Sequence, residues 1–120
     1  MEGDVVLFHT GWTDAKIKSD PIAWVSGAPG QSEEVAEYLA SMNVVAVGSD
    51  TWGLDVVPSQ NEDRPFQGHV VYLMENGIYI LETMNTGPLV RDGVHEFLFV
   101  LGQARVAGTV QMLINPIAID

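Results

Sequence analysis

The 120-residue sequence contains no cysteine, so no disulfide framework, thiolate nucleophile or sulfur metal site is available to it. Any metal would have to be held by histidine, aspartate or glutamate. Basic residues are scarce: five lysines and arginines stand against sixteen acidic residues, a formal charge of −11. That balance repels phosphate backbones and anionic membrane surfaces, and it excludes nucleic acid and membrane as partners. No apolar run is long enough to cross a bilayer, and the opening MEGDVVLF lacks a basic segment ahead of a long apolar one. A cytoplasmic location is the expectation. A phosphate-cradling glycine loop, a dinucleotide glycine fingerprint, a nucleophile elbow and paired histidines one helical turn apart are all missing.

What is present suits a folded chain, because 47% hydrophobic against 18% charged residues excludes a disordered tail. The length points to a single domain over residues 1–120. The central stretch is FQGHVVYLMENGIYILE, residues 66–82. Phe66, Val70, Leu73 and Met74 recur at helical spacing, Asn76-Gly77 offers a left-handed exit, and Ile78 to Leu81 read as a strand covered on both faces. Glu82 closes that strand and His69 lies in the helix before it. Position alone leaves Glu82 open between a surface carboxylate and a paired one, and His69 open between a structural residue and a ligand.

Earlier in the chain, residues 4–10 (DVVLFHT) read as a buried strand broken at Gly11-Trp12. TDAKIKSDPIAW reads as an irregular or weakly helical excursion. Ser32 is a helix N-cap with Glu33 and Glu34 in the first turn, which predicts a helix to Met42 with Val35, Ala36, Leu39 and Ala40 inward. Val44 to Val47 read as a second buried strand with an exit loop, Gly48 to Thr51. Helix followed by strand, twice, argues for mixed α/β layering. Asp50 and Asp55 follow that second strand. With Trp52 and Glu82 they form a candidate pocket if the two strands are neighbours, while Asp50 is equally read as the cap of a turn. His9 and Trp12, at the first strand's end, are candidates for the same pocket or plain packing. Beyond Glu82, Leu89 to Gly93 predict one helical turn, Phe97 to Leu101 a strand, and ARVAGTVQMLINPIAI two more strands with a bend.

The order of segments carries a resemblance. GDVVLFHTGW, PG-x-S-x-E before a helix, VAVGSDTWGLD, H-x-x-x-L-x-x-x-GI-x-IL-E, G-x-x-EF-x-FVLGQARV-x-G and INPIAI together resemble the second half of the cyclase family of metal-dependent hydrolases, which includes arylformamidases (kynurenine formamidases) and isatin hydrolase. The resemblance implies a swivelling β/β/α domain, a mixed sheet with packed helices, whose N-terminal part is missing here. It also implies His69 and Glu82 as metal ligands, manganese or zinc as cofactor, and a cyclic amide or N-formyl amide as small-molecule substrate. The interval between His69 and Glu82 is about one residue longer than in typical members. The family's H-x-G-T-H-x-D-x-P-x-H motif, which supplies most of its ligands, does not occur in these 120 residues. The expectation is therefore a hydrolase half-site, weakly active or inactive alone, with a non-catalytic remnant or interaction module as the alternative. Uncovered apolar strands at Val5 to Phe8 or Phe97 to Leu101 add the expectation of a homo-oligomer.

Overall fold

A computed structural model describes residues 1–120, and the chain divides into two compact units, residues 1–88 and 89–120. In the first, β1 (Val5–Phe8), β2 (Ala46–Ser49) and β3 (Tyr79–Leu81) form a parallel sheet in the order β1-β2-β3. Val5 pairs with Ala46 and Phe8 with Ser49, while Ala46 pairs with Tyr79 and Gly48 with Leu81. Only the central strand is covered on both faces: β2 is buried throughout, whereas β1 is half-buried and Tyr79 is exposed. The expectation of buried first and third strands is corrected by this order, since both are edges.

Strand β2 begins two residues later than its apolar run. The chain is already bonded at Val45, whose N–H donates to Asp4 O at 2.8 Å and whose carbonyl accepts from Tyr79 N at 3.0 Å, but the β1 ladder starts at Ala46. The strand therefore extends through Gly48 and Ser49, which the sequence assigns to the exit loop. Helix α3 (Glu33–Ser41) matches expectation. Ser32 Oγ accepts from Val35 N, two glutamates occupy the first turn, and Ala36, Leu39 and Ala40 are buried. These residues join Val44, Val47, Leu54, Val71, Tyr72 and Ile78 in one core.

The stretch read as irregular contains two short helices, α1 (Trp12–Lys16) and α2 (Pro21–Ser26). Asp20 explains the second, because its carboxylate accepts from Ala23 N at 3.0 Å and Pro21 sits where a missing N–H costs nothing. A larger correction concerns residues 66–77. Helix α4 (Gln67–His69) starts from Phe66 in a left-handed conformation and continues as a π-helical turn, Val70–Glu75. Wider winding changes which side chains face inward. Gly68, Val71 and Tyr72 are buried, while Phe66, Leu73 and Met74, which helical spacing puts on one face, are exposed. Gly77, at φ 64°, provides the expected exit.

Helix α5 (Gly87–Asp92) runs across the boundary between the units. The second unit contains the antiparallel pair β4 (Leu98–Val100) and β5 (Ile117–Ile119), with Leu98 opposite Ile119. Residues 101–116 hold no strand, so one of the two strands read from ARVAGTVQMLINPIAI is absent. The architecture is mixed α/β with a parallel and an antiparallel sheet. No helix is long and apolar enough to cross a membrane.

Candidate functional site

Parallel pairing of β2 and β3 puts their C-terminal ends side by side, so the chain leaving Ser49 and the chain leaving Leu81 emerge at the same end of the sheet. They remain tied there: Thr83 N donates to Thr51 O at 2.8 Å and Met84 N to Ser49 O at 2.9 Å. The β2 exit folds into a tight turn because Thr51 Oγ1 bonds both Ser49 Oγ (2.9 Å) and Gly53 O (2.7 Å). That turn delivers Leu54 N to Glu82 Oε1 at 3.1 Å, and places the next residue, Asp55, under the start of α4.

His69 lies between two carboxylates. Its Nδ1 donates to Asp55 Oδ2 at 2.5 Å, because a carboxylate can only accept, and its Nε2 lies 3.3 Å from Glu82 Oε1. The hydrogen bond to Asp55 is the main reason the imidazole pKa is raised to about 9, with the bond to Glu82 second and burial opposing both. Phe66, from the residue before α4, sets its ring edge-on to the imidazole at a centroid distance of 6.0 Å.

The other sequence candidates go elsewhere. Asp50 is buried, but its Oδ1 accepts from Thr10 N (2.7 Å) and Thr10 Oγ1 (2.8 Å), joining the exits of β1 and β2 instead of meeting His69. His9 Nδ1 is hydrogen-bonded with Thr86 Oγ1 at 2.8 Å. Trp12 and Trp52 both donate their indole N–H to Trp24 O, at 3.3 and 2.8 Å. Of the candidate pocket residues, Asp55 and Glu82 contact His69 and the others do not. Thr10, Trp24, Leu54 and Thr86 were not singled out in the sequence, and nothing in their spacing marks them, because each acts through a contact made by folding.

A cavity of about 420 Å³ adjoins the group and is lined by Gln31, Glu33, Asp55, Asn61, Arg64 and Phe66 among others. Arg64 on its wall bonds Glu33 (3.0 Å) and Gln67 (2.6 Å).

Two atoms bound to one tetrahedral cation at about 2.0–2.1 Å stand about 3.3 Å apart. His69 Nε2 and Glu82 Oε1 fit that separation. They fit as two corners, since no group of three or more histidine or acidic side chains is placed to hold a metal ion.

The model of the cyclase family, described as "Putative cyclase", matches residues 1–56, a stretch that includes Asp50 and Asp55 and leaves His69 and Glu82 outside. A crystal structure of a novel cyclase is similar over 100% of this chain at 23% identity and a TM-score of 0.78. The chain spans 40% of the length of that cyclase. Comparison with curated proteins finds no match. The chain thus has the fold of that part of a cyclase, and its first 56 residues match the cyclase family model.

Proposed function

We propose that the chain contributes His69 and Glu82 to a divalent metal site of a cyclase-type hydrolase acting on a cyclic amide or N-formyl amide, within a swivelling β/β/α fold. The observation that carries this reading is the 3.3 Å approach of His69 Nε2 to Glu82 Oε1 while Nδ1 is occupied. A bound manganese or zinc ion would supply polarisation of the substrate carbonyl and activation of water. The chain's own residues hold and orient. Glu82 is tied to the β2 exit through Leu54 N–H, and His69 is fixed at the end of α4. The cavity that gives a small substrate room is lined by Asp55 and Phe66, both of which contact His69. Two ligands are fewer than the three protein ligands of a catalytic zinc site, so the remaining ones belong to polypeptide outside these 120 residues. The competing reading is a non-catalytic module that keeps the fold.

The test supplies a polypeptide bearing the H-x-G-T-H-x-D-x-P-x-H motif together with manganese or zinc, using isatin and N-formylkynurenine as substrates. Hydrolysis is expected only in the mixture, and Glu82→Gln is expected to abolish it. Strong turnover by the 120-residue chain alone, or indifference to Glu82→Gln, refutes the assignment.

We also propose that the chain assembles with copies of itself, because Leu98, Val100, Ile117 and Ile119 of the β4/β5 pair are all exposed and apolar. Light scattering at micromolar concentration is expected to give a mass above the 13.0 kDa monomer, and a monomeric mass removes the proposal.

A further inference from the structure

The Asp55 side chain is almost wholly enclosed, at 8% exposure, and receives three donors from two consecutive residues. Gly68 N donates to Oδ1 at 2.8 Å, while His69 N (3.1 Å) and His69 Nδ1 (2.5 Å) donate to Oδ2. One carboxylate therefore fixes both where His69 leaves the backbone and how its ring is turned. The seat is shaped for it. A Cβ at Gly68 would collide with Asp55 Oδ1, and one at Gly30 with the Asp55 backbone, so the carboxylate sits where it does because both neighbours are glycine.

We infer that Asp55 is a positioning residue, which holds His69 in the Nδ1–H tautomer so that the unprotonated Nε2 is turned toward Glu82. This deepens the proposed function, since it rests on the reading of His69 as a ligand. Both carboxylates beside the ring can only accept, so the single proton of the neutral ring goes to the closer one: Asp55 Oδ2 lies 2.5 Å from Nδ1, against 3.3 Å from Nε2 to Glu82 Oε1. The lone pair then lies on Nε2, the atom a divalent ion would take, and a carboxylate behind the ring is the usual support for such a ligand. Glu82 does not share this role: its Oε1 takes the Leu54 N–H, so it is oriented from the backbone of the residue before Asp55. Residues 54 and 55 thus aim both partners, one through the main chain and one through the side chain.

The experiment is long-range ¹H–¹⁵N correlation of the His69 ring in the uniformly labelled 120-residue chain, at about pH 10.5 so that the ring is neutral. The wild type is expected to show Nδ1 protonated and Nε2 bare, opposite to the Nε2–H form that dominates for a free histidine side chain. Asp55→Asn is expected to shift the ring to the Nε2–H form and to weaken Mn²⁺ binding, read by electron paramagnetic resonance, about 10- to 100-fold. Glu82→Gln is expected to leave the tautomer unchanged. An Nε2–H ring in the wild type, or an unchanged ring in folded Asp55→Asn, overturns the inference. If Asp55→Asn does not fold, the wild-type spectrum decides alone. An Nδ1–H ring in a wild type without Mn²⁺ affinity upholds the positioning role and sinks the reading of His69 as a ligand.

Discussion

His69 at the end of α4 and Glu82 at the end of β3 meet at 3.3 Å between Nε2 and Oε1, although a π-helical turn and a whole strand separate them in the chain. The Asp55 hydrogen bond first, and this contact second, make the protonation of His69 part of the fold's stability.

A pKa raised to about 9 from about 6.5 means that the folded state holds the His69 proton more tightly than the unfolded one. The stabilisation is full below about pH 6.5 and is lost as pH rises through about 9. His69 is about one-third exposed, so screening reduces its worth to about 1–2 kcal/mol. In denaturant titrations, wild type is expected to lose that advantage over His69→Gln across this window. A constant difference from pH 6 to pH 10 would show that the ion pairs do not form in solution.

Gly48 sits in the middle of β2, where a Cβ would approach Leu7 Cδ2 to 2.8 Å and Leu81 O to 2.9 Å, the latter backbone that cannot yield. Gly48→Ala is expected to lower unfolding free energy by about 1–3 kcal/mol through overpacking. Thermal or urea unfolding checks it, and a neutral result would mean that β1 and β3 are spaced more loosely around β2 than described.

The turn Val70–Glu75, between His69 and Glu82, is wound as a π-helix, which takes up more residues per turn than an α-helix. Deleting Met74, which is 80% exposed within that turn, is expected to restore α-helical winding with the fold retained. Circular dichroism and Mn²⁺ binding within about threefold of wild type are the expected readouts. Loss of the fold would show that the turn is required by its surroundings and is not an absorbed insertion.

Where one kind of contact dominates, the sequence is legible. The cap and charge pattern at Ser32, Glu33 and Glu34 places α3 to within a residue, and the Asn76-Gly77 exit is where its chemistry puts it. The buried face of the segment after Phe66 is not legible in the sequence, because 3.6-residue periodicity is the wrong ruler for a π-helical turn. The edge positions of β1 and β3 are not legible either, because an apolar run does not reveal its place in the sheet order. Within the site, His69 and Glu82 are visible through the resemblance, whereas the tie from Asp55 to the His69 ring depends on how the β2 exit loop turns at Thr51. The turn of Asp50 toward Thr10 is likewise a product of β1 and β2 pairing in parallel.

The most direct measurement is pulsed electron paramagnetic resonance of Mn²⁺ added to the 120-residue chain, which detects a coordinating histidine nitrogen. Wild type is expected to show one coupled nitrogen, lost in His69→Ala, with affinity reduced about tenfold or more in Glu82→Gln. A spectrum of Mn²⁺ with oxygen ligands alone, unchanged by either substitution, would contradict the account.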